Sequence, residues 1–248
     1  MITNNENQRV VNDVDWGCSH NELKSSEAMI KTSIIRIDDI MKVAAELTRI
    51  VLDKSWMLSL DIRTQRSYRF TVEETAAELV KIFKKITSSA TPDNKIGVEF
   101  GELMVSMGAS RALLKLFDHL SLPIAELWKP QKKQNEGFDF HTVCPNDVIN
   151  FGEAKYSGGS SNPHGEAISQ INDFLDVEKH LRDTNHLVNL VCENACKNLD
   201  NDNFGIVAAF SINSDNYDLI MKNAFDSINE KGLLNKCKIV YLVGVMFK

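Results

Sequence analysis

Apolar residues recur along this chain at two different spacings, and the alternation between them predicts most of its elements. Ile40, Val43, Ala44, Leu47, Ile50 and Val51 fall at helical spacing within Ile37 to Leu52, with Asp38 and Asp39 favouring the N-terminal end. Between Trp56 and Phe70 the period shortens: Leu58, Leu60 and Ile62 alternate with polar neighbours, which predicts extended chain. A second helix follows, with Thr71 as cap, Glu74 three residues on, and Ala77, Val80, Ile82 and Phe83 as its apolar side. The small, polar, proline-punctuated run from Ser88 to Asp93 marks a boundary. Residues 1 to about 30 lack periodicity and read as a loosely ordered arm with one short strand.

Beyond the boundary the predicted order is helix, three strands, helix, strand, helix, strand. Val98 to Leu120 is helical, and Ile124 to Trp128 is a short strand between Pro123 and Pro130. Phe138 to Val143 and Val148 to Tyr156 form a hairpin around Cys144-Pro145-Asn146-Asp147. Pro163 to Arg182 is helical, with Pro163 in an allowed first-turn position after Asn162. Leu187 to Asn198 is another helix, Gly205 to Ile212 a buried strand, Tyr217 to Lys231 a helix and Lys238 to Phe247 a final strand. Strands interleaved with amphipathic helices imply an α/β fold with a mixed sheet covered on both faces. Residues 1–90 form an N-terminal accessory region of helices plus a short hairpin, and 91–248 a second domain.

The 248 residues are 43% hydrophobic and 25% charged, enough for a sizeable soluble core. No apolar stretch approaches the roughly 20 residues of a membrane span, and the polar start lacks a signal-peptide core, so cytoplasm and no membrane partner are expected. A net charge of −6 argues against a non-specific, electrostatically driven nucleic-acid coat. It leaves room for an enzyme that grips nucleic acid through a local groove and a bound cation. Five scattered cysteines argue against a disulfide framework. Cys192 and Cys196 share one helix face and read as buried thiols, and Cys18-Ser19-His20 is a weaker metal signal.

The chemistry concentrates in the hairpin. Glu153 and Lys155, two apart on one strand, share a face with Ile149 and Phe151. A lone Glu-x-Lys carries little information; among 16 glutamates about one match arises by accident, and Glu22-Leu23-Lys24 in the polar arm reads as that match. With Cys144 to Asp147 as the turn, paired positions sum to 291 and Asp139 lies opposite Gly152; a shift of one residue puts it opposite Glu153. Two carboxylates that close repel unless a cation or a proton relieves them, and Mg²⁺ held by Asp139, Glu153 and the Ala154 carbonyl would do so. The bland reading is an exposed hairpin with Lys155 paired to one acid, but Phe138, Phe140, Ile149 and Phe151 mark the hairpin as buried. After it comes Ser157-Gly158-Gly159-Ser160-Ser161, a loop that can admit a phosphate. Gln170 then flanks the stripe Ala167, Ile168, Ile171 and Leu175 on the next helix. On the earlier helix Glu99 and Glu102 lie three apart, and Glu102 is the better placed to reach a metal.

Helix Glu102, strand Asp139, Glu153-Ala154-Lys155 and helix Gln170, in that order, resemble the PD-(D/E)xK nuclease superfamily over roughly residues 95–248. Phe100-Gly101-Glu102, Gly137-Phe138-Asp139 and Phe151-Gly152-Glu153-Ala154-Lys155 look most like the nuclease subunit of Hachiman-type anti-phage defence systems. No proline directly precedes Asp139, a departure common in the superfamily. The resemblance implies a restriction-endonuclease-like αβββαβ core and a Mg²⁺- or Mn²⁺-dependent nuclease acting on nucleic acid, DNA before RNA, with a helicase (ATPase) partner. It implies Asp139 and Glu153 as metal ligands, Glu102 as a ligand or tuning group, Lys155 orienting the attacking water, and Gln170 positioning water or phosphate. The products would carry a 5′-phosphate and a 3′-hydroxyl.

Two other classes stay open on the sequence: a nuclease-like module that binds DNA or protein without cutting, and an adaptor whose 1–90 region works by protein contact. His141, on Asp139's strand face, and His164, after the glycine loop, could approach phosphate, though such histidines are more often plain core or surface residues. Lys129, Lys132 and Lys133 could contact a nucleic-acid backbone.

Overall fold

The computed structural model describes residues 2–3, 9–88, 98–128, 137–159 and 161–247; at 2, 3, 87, 88, 98 and 99 only the backbone is described. Strands β1 (Ile2–Thr3), β2 (Val10–Asp13), β3 (Cys18–Ser25) and β4 (Ile30–Ile37) lead into helices α1 (Ile40–Leu52) and α2 (Ile62–Ser88). Then come α3 (Val98–Phe117), β5 (Leu120–Ser121), α4 (Ala125–Trp128), β6 (Phe140–Val143), β7 (Ile149–Lys155) and α5 (Pro163–Asp176). Short helices α6 (Thr184–Leu187) and α7 (Glu193–Asp200) precede β8 (Gly205–Ile212), α8 (Tyr217–Glu230) and β9 (Ile239–Phe247).

One mixed sheet runs β1-β3-β4-β9-β8-β7-β6-β5, with β2 also on β3. Its centre, β4, β9, β8 and β7, is parallel; both flanks are antiparallel. The centre reads as continuous apolar sequence because both faces are covered: every residue of β8 is buried. A Cβ on Gly108 of α3 would meet Ile35 and Val245, whereas one on Gly244 would meet Ile34 and Met221 of α8. Adjacent strand residues point to opposite faces, so α3 covers one side and α8 the other. The crossovers β7–α5–β8 and β8–α8–β9 move the same way along the sheet, and crossovers of one hand leave α5 and α8 packed together on one face.

The α/β class and the covered mixed sheet agree with the sequence. The boundary expected near residue 90 falls outside the described residues, and β4, N-terminal to it, lies parallel against β9. Four expectations are corrected. The region before residue 30 is not a loose arm but carries β2 and β3; their inward positions, Asp13, Cys18 and His20, are polar and hid the alternation. Trp56 to Phe70 is not extended: after a short 3₁₀ turn, α2 begins at Ile62 and Asp61 caps it through the Arg63 and Thr64 amides. Thr71 is therefore inside a helix, whose buried line is Tyr68, Val72, Ala76 and Phe83. Ile124 to Trp128 is helix α4, and the third strand of the group is β5 at 120–121. Finally, the helix expected from 187 to 198 is split into α6 and α7. There Cys192 is exposed rather than buried.

Phe140 pairs with Gly152, and a Cβ on Gly152 would stand 2.4 Å from the Phe140 ring. Gly152→Ala is expected to cost about 1–3 kcal/mol in urea unfolding, the range for overpacking a filled core. Gly159→Ala, whose Cβ would meet nothing within 4 Å, should stay within about 0.5 kcal/mol of the parent. Equal stability of the two variants would contradict this packing.

Candidate active site

The hairpin register decides where the acids fall. Val143 pairs with Ile149 and Phe140 with Gly152, so paired positions sum to 292, not 291. Cys144 and Val148 face each other across the turn, the Cys144 amide donating to the Val148 carbonyl at 3.0 Å, so the loop between them is the three residues 145–147, closed by Asp147 at φ 57°. Continued one step, this register sets Asp139 beside Glu153. At that end the ladder slips: the Asp139 amide donates to the Gly152 carbonyl at 2.8 Å, and Asp139 Oδ2 accepts from the Ala154 amide at 2.7 Å. The Asp139 carboxylate is thus fixed against the Glu153–Ala154 backbone.

Glu153 is fully buried. On β8 its neighbour is Ala208, which offers no polar group. Lys155 Nζ lies 2.8 Å from Glu153 Oε1 as an ion pair, and neither Glu153 oxygen accepts a hydrogen bond of good geometry among the described residues. Burial pushes the Glu153 carboxyl well above its ordinary value; the Asp139 charge adds to the rise, Lys155 opposes it, and Glu102 adds a smaller push. Burial alone would lower the Lys155 pKa, but the carboxylates of Glu153, Asp139 and Glu102 outweigh it and hold the ammonium charged. Lys155 keeps a fifth of its side chain exposed and so faces both the buried acid and solvent.

Glu102 reaches this neighbourhood through a close approach. A Cβ on Gly101 would stand 2.3 Å from the Tyr156 ring, so only glycine lets α3 settle against the end of β7. Phe100, beside it, is buried edge-on to Phe83 of α2. Glu102 and Asp139 line one cavity of about 330 Å³ with Glu78 of α2 and Glu126 of α4. The last two did not stand out in the sequence, since nothing in their local spacing separates them from ordinary helix acids.

The remaining candidates divide. Phe151, on the same face of β7 as Glu153 and Lys155, packs with Phe138, whose ring meets Phe174 of α5. Helix α5 therefore covers that face; Gln170 on this helix is half-buried, with no hydrogen bond to the acids or lysine among the described residues. The loop after β7 is pinned at its start, where the Ser157 amide donates to Ser211 Oγ at 2.9 Å, and is open at Gly159. His141 is a core residue, bonded through Nε2 to Asp183 at 3.0 Å, and His164 is half-buried against Phe210. Glu22 and Lys24 lie on β3 rather than in an unstructured arm, and Lys24 is exposed. Lys129, Lys132, Lys133 and the Glu99 side chain lie outside the described residues.

The donor set fits a hard divalent cation: carboxylate oxygens, one of them buried with no hydrogen bond, and more negative than positive charge. The acids are not drawn together as tightly as ligands of a bound ion. Among the described residues, the group of three His, Cys, Asp or Glu side chains whose ligand atoms all lie within 4.8 Å is Asp13, Cys18 and His20. Asp139 is turned to the Ala154 amide and Glu153 to Lys155 instead, as mutual repulsion directs. No protein-family model, curated protein or solved structure matches this chain.

The raised Glu153 pKa sets a sign. The protonated acid is the form that folding favours, so stability falls as pH rises from the ordinary carboxyl range through the folded-state pKa. Glu153→Gln, kept metal-free with a chelator, is expected to melt about 2–4 °C above the parent at pH 8, the shift that about 1 kcal/mol gives a chain of this size. The gap should close toward pH 4. A variant no more stable than the parent at pH 8 would show that the carboxylate is not under strain.

Proposed function

We propose that the chain is a metal-dependent nuclease that hydrolyses phosphodiester bonds of DNA. The observation that carries this reading is Glu153: a fully buried carboxylate, an ion-paired lysine at 2.8 Å, and two further acids close enough to shift both. Buried charge of that kind is expensive unless it has a use. The order α3, β5, β6, β7, α5, β8, with α4 inserted after β5 and the short helices α6 and α7 before β8, supports the restriction-endonuclease-like core that the sequence resemblance implies.

Asp139 and Glu153 would hold Mg²⁺ or Mn²⁺, with Glu102 as a third ligand or through water. Such an ion supplies Lewis acidity at the phosphate and a more acidic bound water. The chain's own groups do the rest. Lys155, charged and partly exposed, orients the attacking water and faces the negative charge that builds at phosphorus. The glycine loop at 157–159 would admit a backbone phosphate, and Gln170 would steady water or phosphate. A defence role with a helicase subunit is the biological form of this proposal, and it rests on the motif resemblance.

Nicking of supercoiled plasmid with Mg²⁺, with and without DNA ends and candidate helicase partners, tests the reading. Glu153→Ala and Lys155→Ala are each expected to lower cleavage at least about 100-fold, and chelation to abolish it. Calorimetry should show weakened Mg²⁺ binding in Glu153→Ala and near-normal binding in Lys155→Ala. Cleavage that survives both substitutions would refute the site. DNA binding without cleavage under every condition would leave a non-catalytic binding module.

A further inference from the structure

Asp13 and Cys18 are directly opposed across the β2–β3 ladder, and His20 lies two residues beyond Cys18 on the same strand. Residues two apart share a face, so one carboxylate, one thiol and one imidazole converge on one side of the hairpin. All three are buried: Asp13 is 3%, Cys18 6% and His20 0% exposed. His20 Nε2 lies 3.5 Å from Cys18 Sγ and 3.5 Å from Asp13 Oδ2. Among the described residues Nδ1 has no hydrogen-bond partner, so the ring's polar contacts there are confined to Nε2.

From this geometry we infer that Asp13, Cys18 and His20 form a three-ligand Zn²⁺ site, separate from the acidic site on β7 and independent of the nuclease reading. In a tetrahedron with ordinary zinc bond lengths the sulfur–nitrogen edge is about 3.5 Å and the nitrogen–oxygen edge about 3.4 Å, which the two contacts at His20 match. Thiolate, imidazole and carboxylate together select zinc over the hard cations that suit the all-oxygen site. As the zinc–sulfur bond forms, the Cys18 proton leaves to solvent. Arg111 donates to both Asp13 oxygens, at 2.6 and 3.2 Å, and holds the carboxylate as an outer partner holds a metal ligand. Arg111 and Lys115, the latter 3.7 Å from Asp13, oppose a further cation; the two anionic ligands offset the ion's own charge. Both cations belong to α3 and Arg111 also covers the Trp16 ring, so the Asp13–Arg111 pair ties the ligand-bearing hairpin to the helix that carries Glu102.

The test uses the full chain, stripped with chelator, and zinc alone as probe. The parent and Glu153→Ala are expected to take up about one equivalent of Zn²⁺. Cys18→Ser and His20→Gln should take up none, while Cys192→Ser, an exposed thiol, behaves as the parent. Co²⁺ added to the stripped parent should give a thiolate charge-transfer band with tetrahedral d–d absorption, a readout that depends on no variant folding. A parent that binds no Zn²⁺, or whose Co²⁺ spectrum lacks the thiolate band, would overturn the assignment and leave an Asp13–Arg111 ion pair beside a neutral Cys–His contact.

Discussion

Glu153 brings a carboxylate to a place in the sheet that water does not reach, and the surrounding structure is organised around that charge. On β8 its neighbour is alanine, on its own strand the preceding same-face residue is Phe151, and its polar neighbour is Lys155. Among the described residues Lys155 is the group that offsets desolvation and the charges of Asp139 and Glu102, through its charge and its 2.8 Å contact with Oε1. Buried pairs of this kind seldom add net stability. On that ground the proposed use of the charge is binding rather than support of the fold.

Several local choices serve that arrangement. Gly152 leaves the space that the Phe140 ring fills, which locks the hairpin pairing beside the acid. Asp147, in the left-handed region, closes the turn that sets the β6–β7 register and so brings Asp139 to the Gly152–Ala154 backbone beside Glu153. Gly101 lets α3 approach Tyr156, and through α3 the site is tied to the N-terminal hairpin, where Arg111 holds Asp13. Folding of the antiparallel flank and the geometry of the acidic site are thus linked by one helix.

How far the sequence could be read depends on which side chains face inward. The strands β8 and β9, the hairpin β6–β7 and the helices α3, α5 and α8 were legible because their buried positions are aliphatic or aromatic at a clear period. The N-terminal strands were not, since β3 turns Cys18 and His20 inward and its pattern looks polar. Leu58, Leu60 and Ile62 gave a false strand signal three residues long; Leu58 and Ile62 are in fact exposed. In α2 the longer period from Tyr68 to Phe83 was the stronger signal. Glu153, Lys155 and Asp139 could be brought together from the alternation of side chains and the turn, but the one-residue register choice needed the φ of Asp147. Glu78 and Glu126 had no such route, because only the packing of α2 and α4 brings them to the cavity.

Anomalous scattering from a crystal grown with Mn²⁺ tests most directly whether the strained carboxylate is a cation ligand. The expected result is an ion bonded to Glu153 and Asp139 together, with Lys155 released from Glu153 toward solvent. An empty site at saturating Mn²⁺, with the Glu153–Lys155 pair intact, would contradict it.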